Sequence, residues 1–232
     1  MTYSDLNDMT PPPGQLLPDG IDPSISSNRH VTTTEQTICF ATMTPDEFNL
    51  DDVPHALSRI CRYNGLINRY YSVAQHSVMV CELAEAFYGR GHEISLACLL
   101  HDAVEAYLGD ISRPLKSLLP DYQRLEEHVE KQIIEAMDLS RDPAVWKEVK
   151  RFDVMALHIE GNHILCTPQD WVKPMDPMWT QSRMAHKIVD GQEMLSAEAK
   201  RAMWTKLNQY GYMQTARSPQ ISSDPRRTNP ML

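Results

Sequence analysis

The sequence predicts an all-α fold, a helical bundle with short extended pieces near the N-terminus. Apolar residues recur every three or four positions along several segments, which is the pattern of a helix with one buried face. Residues that favour helix ends stand at the borders of these segments: Ser72 and Asp142 at starts, and Gly109 at an end. A β-like stretch, Thr37–Thr42, is short and precedes the turn-prone Thr44-Pro45-Asp46.

The predicted helices follow in chain order, each with an apolar stripe. They cover Pro54–Cys61, Ser72–Tyr88, Glu93–Leu108, Asp121–Met137, Asp142–His163, and a last helix from Ser196 to near Gly211.

One domain is predicted between two flexible tails. Residues 1–35 contain PPPG, PDG and a run of Thr, and residues 211–232 end in SPQISSDPRRTNPML. Such segments bury too little apolar surface to fold alone. The interval 36–210 has one composition throughout and no internal repeat, so we interpret it as a single domain.

Charge and cysteine content restrict the class of protein. The net charge of −9 argues against a partner that is a nucleic-acid polymer or an anionic membrane. No apolar run approaches the roughly 20 residues that span a bilayer, and the N-terminus lacks a basic-then-apolar leader. The five cysteines form no CxxC pair, which favours reduced thiols and a cytoplasmic protein.

Polar residues occupy apolar stripes on three predicted helices: His76, the adjacent His101-Asp102, and Asp153. A lone histidine on such a stripe is more often a satisfied core residue, and Asp153 could form an ion pair with Arg151. However, neighbours in a helix do not face each other, and a buried carboxylate needs a cation or strong hydrogen bonds. Imidazoles and carboxylates converging from separate helices suit a divalent cation with open positions for water and substrate.

Further polar residues surround this set. Glu105 lies one helical turn beyond His101, where a carboxylate can hold water or exchange a proton. Asp110 follows the helix end at Gly109. Arg62 and Lys116 stand at turn positions, where cations suit the oxygens of a phosphoryl group.

The pattern of His76, His101-Asp102 and Asp153 resembles the H…HD…D signature of the HD-domain phosphohydrolases. The segments HDAVEAYLGDISRPLK, CRYNG and YYSVAQHS are similar to the 5′-deoxynucleotidase branch, whose viral members include dATP triphosphohydrolases. The resemblance covers about residues 37–165. It implies an HD-domain helical bundle, a homo-oligomer, and a cytoplasmic location, which is the host cytoplasm for a viral chain.

The resemblance also implies roles for single residues. It implies that the metal ligands are His76, His101, Asp102 and Asp153. It implies that Glu105 is the catalytic carboxylate, with Asp110 in the site, and that Arg62 and Lys116 contact phosphate.

One divalent metal ion, such as Mn²⁺, Co²⁺ or Zn²⁺, is predicted. Dinuclear HD proteins insert two further histidines before the last Asp, whereas here only His128 lies in that interval, and we interpret it as a surface residue. Glu160 and His163 form a Glu-x-x-His pair, but di-iron bundles need two such pairs, so we interpret it as incidental. His55 is interpreted as packing or as support for the site.

These observations predict a metal-dependent phosphohydrolase of deoxynucleotides. The resemblance favours conversion of dATP to deoxyadenosine and triphosphate, with activity on shorter phosphates; the alternative substrate class is deoxynucleoside monophosphates. Tyr63, beside Arg62, is a candidate to exclude the ribose 2′-hydroxyl. Two other classes stay open, a di-iron oxygenase of the same fold and a non-catalytic helical module with a structural metal.

Overall fold

The computed structural model describes residues 30–167 and 169–214. It confirms the all-α prediction, because this part of the chain is mostly helical and has one small antiparallel sheet near its start. Within these ranges no helix combines the length and apolar character needed to cross a membrane.

The helices are labelled in chain order. They are α1 Asp52–Leu57, α2 Val73–Tyr88, α3 Glu93–Leu100, α4 Glu105–Leu108, α5 Arg113–Lys116, α6 Pro120–Ala136, α7 Pro143–His163, α8 Arg183–Val189 and α9 Ser196–Gln209. The strands are β1 His30–Val31 and β2 Thr37–Ile38, and 3-10 turns occupy Phe40–Thr42, Pro45–Glu47, Arg62–Gly65 and Pro177–Gln181.

Helix α2 is at the centre of the bundle and packs against α3, α7, α8 and α9. It begins where predicted, because the Ser72 side chain accepts a hydrogen bond from the Gln75 amide while the Gln75 side chain accepts from the Ser72 amide. Most of its residues are buried. Helix α3 is apolar almost all round and packs on both α2 and α7. Residues on α2, α3 and α7 therefore face one another across the core.

The predicted helix Glu93–Leu108 is interrupted after Leu100. The amides of Ala103, Glu105 and Ala106 donate to carbonyls three residues back, which tightens the chain into a 3-10-like turn before α4. Gly109, with φ of 81°, ends α4 as predicted. The interruption contains His101 and Asp102, so the two side chains project from a turn and not from a regular helix.

The extended prediction over Thr37–Thr42 is wrong beyond Ile38. Only Thr37–Ile38 is a strand, and Phe40–Thr42 turns into a 3-10 helix that packs against α6. Helices α5 and α8 and the turn at Arg62–Gly65 are short elements that the periodicity did not indicate, because about two turns are too few to show an apolar repeat.

The predicted tails, residues 1–35 and 211–232, include residues that contact the folded domain. β1 pairs with β2, and the amide and hydroxyl of Thr34 donate to the Asp52 carboxylate at 2.9 and 3.0 Å. Near the other end, Tyr212 packs against the core and its amide donates to the Leu207 carbonyl. Residues of the segment 30–35, and Tyr212, therefore contact the folded domain. The rest of the predicted tails, 1–29 and 215–232, lies outside the described residues.

Candidate metal centre

His76 is fully buried on α2, and two carboxylates of α7 contact its ring. Its Nδ1 lies 2.5 Å from Oε1 of Glu160, and its Nε2 lies 3.2 Å from Oδ1 of Asp153. A hydrogen bond from Nδ1 to a carboxylate fixes the tautomer of an imidazole and leaves Nε2 to act as a ligand.

Glu160 is the residue whose role was underestimated from the sequence. It is fully buried and, besides His76, accepts hydrogen bonds from the hydroxyls of Tyr63 at 2.6 Å and Tyr71 at 3.0 Å. Arg62 donates to it at 3.2 Å. Burial alone would raise the pKa of Glu160, but Arg62 and His76 lower it to about 2. Glu160 is therefore a carboxylate, and Nδ1 of His76 carries the proton between them.

The interpretation of the Glu160–His163 pair as incidental is thus wrong for Glu160. Its position on the apolar stripe of α7 was the available signal, since a carboxylate there needs partners. His163 does not join the centre, and its Nε2 has no hydrogen-bond partner among the described residues.

His101 faces His76 from the turn after α3. Its Nδ1 lies 2.7 Å from the Cys98 carbonyl, which can only accept, so Nδ1 carries the proton here as well. The two Nε2 atoms lie 3.3 Å apart. With both Nδ1 atoms protonated, the two Nε2 lone pairs point into the same small space. They repel each other unless a positive charge lies between or beside them.

Two carboxylates complete the cluster. Oδ2 of Asp102 lies 3.2 Å from Nε2 of His101 and 3.6 Å from Nε2 of His76. His76, His101 and Asp102 each offer a ligand atom within 4.8 Å of the others. Asp153 approaches from the α7 side, and its Oδ1 lies 4.0 Å from Nε2 of His101. The structure therefore brings the four predicted ligands together.

The charges of the two aspartates are stabilised by their neighbours. Burial alone would raise both pKa values, but His101, His76 and Arg62 lower the pKa of Asp102, and His76 lowers that of Asp153. The alternative that Asp153 pairs with Arg151 is wrong, because Arg151 contacts Glu148 while Lys150 contacts Asp153.

Without a metal, a proton takes its place on His76. Burial and Arg62 disfavour the charged imidazole, but Glu160 and Asp153 raise the pKa of His76 to about 9. A divalent cation would satisfy the same negative surroundings without that proton. The donor set, two imidazole nitrogens and two carboxylates, suits Mn²⁺, Co²⁺ or Zn²⁺.

Glu105 lies beside this cluster at the start of α4 and is 8% exposed. Its Oε2 is buried and has no hydrogen-bond partner among the described residues. The pKa of Glu105 is raised well above its usual value, first by burial and then by the charges of Asp102 and Asp110. These surroundings therefore favour the neutral, protonated form of the Glu105 carboxyl group. Burial also raises the pKa of Asp110.

Arg62 and Tyr63 belong to a turn with unusual backbone geometry. Tyr63 and Asn64 have φ of 55° and 53°, followed by Gly65 at 74°, so three consecutive residues are left-handed. Non-glycine residues in this region cost free energy, and such conformations concentrate at functional sites. Arg62 is engaged by carboxylates: its Nη1 lies 3.5 Å from Asp102, and its Nη2 contacts Glu160.

Of the remaining predicted residues, Lys116 forms an ion pair with Glu126 at 2.6 Å. His55 is not in contact with the cluster; its Nδ1 lies 3.5 Å from Nζ of Lys200. His128, interpreted as a surface residue, is half-buried on α6.

A cavity of about 870 Å³ opens onto the cluster. Asp102, Glu105, Asp110 and Asp153 line it, together with Arg62, Tyr63 and Lys116. A volume in this range accommodates a small organic ligand. The residues predicted to contact a substrate therefore share one cavity with two of the four candidate metal ligands, Asp102 and Asp153.

Comparison with known proteins gives relatives but no assigned activity. No family model matches the chain. The chain is 40% identical over 115 residues to the uncharacterized protein YfdR of Escherichia coli K12, which is 50% of this chain and 60% of that protein. It is 34% identical over 130 residues to an uncharacterized protein of Rhodobacter capsulatus, covering 52% of this chain and 65% of that protein. The chain therefore spans less than two thirds of the length of the curated relatives it matches.

Proposed function

We propose that this chain is a metal-dependent phosphohydrolase of deoxynucleotides that converts dATP to deoxyadenosine and triphosphate and also acts on shorter phosphates. The observation that carries the proposal is the pair of histidine Nε2 atoms, 3.3 Å apart, facing two carboxylates beside a large cavity. The sequence resemblance to HD-domain phosphohydrolases supports the choice of substrate.

His76, His101, Asp102 and Asp153 would hold the divalent cation. When bound, such a cation polarises a phosphate oxygen and lowers the pKa of water. A structural site would be closed by four Cys or His ligands, whereas this set is rich in carboxylates and adjoins a cavity. This contrast favours an enzyme over a helical module with a structural metal.

Glu105 acts as the proton donor in this proposal. Its raised pKa favours the protonated form, which can deliver a proton to the nucleoside 5′-oxygen as the bond from that oxygen to phosphorus breaks. Asp110, whose charge helps to raise that pKa, maintains the acid form.

Arg62 has two functions in the proposal. Its guanidinium orients Asp102 and Glu160, and it lines the cavity where phosphate charge would gather. Lys116 lines the same cavity. To contact a phosphate, it would have to break its ion pair with Glu126 or contact both groups at once. A cytoplasmic location and a homo-oligomeric state remain part of the proposal by resemblance.

A substrate screen tests the proposal. The full chain is assayed with the eight common deoxy- and ribonucleoside triphosphates and with their monophosphates, each with Mn²⁺, Co²⁺ and Zn²⁺. We expect metal-dependent release of nucleoside, with dATP the best substrate.

Two variants control the screen. Asp153→Ala should lose bound metal and activity together, whereas Asp121→Ala, whose side chain is 83% exposed and distant in sequence from the ligands, should keep both. Normal metal content in Asp153→Ala, measured by elemental analysis, would remove Asp153 from the ligand set. Failure of every substrate with fully loaded protein would reject the hydrolase.

A further inference from the structure

The cavity beside the metal centre has a second, apolar wall that the proposed chemistry does not use. Leu66, Leu157, Leu165 and Trp171 line it together with the charged residues. Leu66 is 79% exposed and Trp171 is 44% exposed, so both present apolar surface to the cavity or to solvent. Exposed apolar surface inside a cavity marks a binding site more often than exposed apolar surface scattered singly.

Helix α7 sets the separation between the two walls. Asp153, Leu157 and Gly161 are spaced four residues apart and so form one stripe along the helix. Eight residues of helix correspond to about 12 Å. Trp171 lies over Gly161 at the far end of that stripe, while Asp153 faces the metal centre at the near end. A nucleotide whose phosphate lies at the metal centre could extend its sugar and base along this stripe towards Trp171.

Gly161 permits the segment that carries Trp171 to lie on α7. A Cβ at residue 161 would be 2.4 Å from Cγ2 of Val172 and 3.4 Å from Cη2 of Trp171. A contact of 2.4 Å is not possible, so any other residue at 161 would force the Val172 side chain or its segment to move.

Two hydrogen bonds fix the same segment. The Asn162 side chain donates to the Lys173 carbonyl at 3.0 Å, and the Lys173 amide donates to Nδ1 of His158 at 3.3 Å. Trp171 is therefore held on α7 by its neighbours.

Trp171 differs from the other tryptophans of the chain. Trp146, Trp179 and Trp204 belong to the main apolar core or pack against it, whereas Trp171 does not belong to that set. A half-exposed indole that is fixed in position yet not used in the core is available to a ligand. An indole face is well suited to stack on an aromatic base, and such stacking tolerates different bases because each has a π-face.

We propose that Trp171, with Leu157 and Leu66, forms the surface on which the nucleobase of the substrate stacks. This inference rests on the proposed nucleotide hydrolysis. Because stacking grows with the area of the ring system, the wall favours purines over pyrimidines. It supplies affinity for the base, while the metal centre and Glu105 supply the chemistry.

The test compares Trp171→Ala and Trp171→Phe with wild type in the full, Mn²⁺-loaded chain. The substrates are dAMP and 2-deoxyribose 5-phosphate, which is the same ester without a base. We expect Trp171→Ala to raise KM for dAMP at least about tenfold, with kcat and metal content changed little. KM for 2-deoxyribose 5-phosphate should stay within twofold, and Trp171→Phe should keep most of the affinity for dAMP. Trp179 does not line the cavity and serves as the control, so Trp179→Phe should have the wild-type KM for both substrates.

Equilibrium binding separates this inference from the hydrolase itself. Stacking should quench tryptophan fluorescence when dAMP binds, and the quenching should disappear in Trp171→Phe but persist in Trp179→Phe. An active wild type whose KM for dAMP is unchanged in Trp171→Ala would reject the stacking wall and leave the hydrolase intact. Quenching that depends on Trp171 in a metal-loaded protein that hydrolyses no nucleotide of the screen would support the wall and reject the hydrolase, and the absence of quenching in such a protein would reject both.

Discussion

At the scale of single residues, the protonation state of Glu105 decides what this side chain can contribute. Burial and two neighbouring aspartates raise the pKa of its carboxyl group and favour the neutral form, and its Oε2 is without a hydrogen-bond partner among the described residues. An amide has the same shape and can donate a hydrogen bond, but it cannot release a proton. Replacement by Gln therefore separates proton transfer from packing and from metal binding.

Glu105→Gln should lower kcat by about 10²–10⁴, the usual worth of positioned proton transfer. Metal content and nucleotide affinity should stay near those of wild type. Steady-state kinetics and elemental analysis measure the two effects, and Glu127→Gln on the exposed side of α6 serves as the matched control. Near-normal turnover would remove Glu105 from the mechanism.

Tyr63 is held beside the cavity by a hydrogen bond from its hydroxyl to Glu160. If its ring excludes the ribose 2′-hydroxyl, wild type should prefer dATP to ATP by at least about tenfold in kcat/KM. Tyr63→Ala should narrow that ratio, mainly by improving ATP hydrolysis. Tyr63→Phe keeps the ring and loses only the hydrogen bond, so it should keep the preference. A preference that survives Tyr63→Ala would assign the selection of the sugar to another residue.

At the scale of elements, long helices were predictable and the deviations that shape the site were not. Ser72, Gly109 and Asp142 define helix ends through local hydrogen bonding and φ preferences, which sequence alone specifies. The interruption at His101 depends on hydrogen bonds three residues back that have no distinct composition. The partners of Glu160 lie 84 to 98 positions away in the sequence. The periodicity could therefore place Glu160 on a stripe but could not identify the residues that it contacts.

The N-terminal strand pair gives a prediction at this scale. Thr34 donates two hydrogen bonds to the buried Asp52 carboxylate, the Thr32 side chain also hydrogen-bonds to it, and the pKa of Asp52 is raised mainly by burial. A chain that begins at residue 36 loses these bonds and leaves a buried carboxylate without them. We expect it to be less stable than a chain that begins at residue 30 by about 1–3 kcal/mol in urea denaturation. Equal denaturation midpoints would show that the strand pair does not support α1.

At the scale of the whole molecule, the buried charges of the centre make stability depend on pH. Glu160 has a pKa lowered to about 2, so its contribution is present above its ordinary pKa of about 4.3 and is lost as the pH falls towards 2. His76 has a pKa raised to about 9, so its contribution is present below about 6.5 and is lost as the pH rises towards 9. The metal-free protein should be most stable between about pH 4.5 and 6.5.

In EDTA, Tm should therefore fall by several degrees between pH 6 and pH 9, since 1 kcal/mol corresponds to about 2–4 °C in a protein of this size. Saturation with Mn²⁺ should reduce that fall, because metal ligands bind in their deprotonated form and bind better at high pH. The control His186→Asn changes an exposed histidine and should retain the wild-type profile. A metal-free Tm that is constant from pH 6 to pH 9 would contradict the assignment of the proton to His76.

Asp153 and Glu160, both on α7, contact opposite nitrogens of the His76 imidazole. This arrangement restricts where natural variants can gain or lose residues. Asp153 and Glu160 are seven residues apart, which is about two helical turns. Both side chains therefore project from the same face of α7 towards His76. One inserted residue would rotate the rest of α7 by about 100° and shift it by about 1.5 Å. The loop between α6 and α7 contains none of the residues of the candidate metal centre. Among natural variants, insertions and deletions should occur in that loop and be absent between residues 153 and 160.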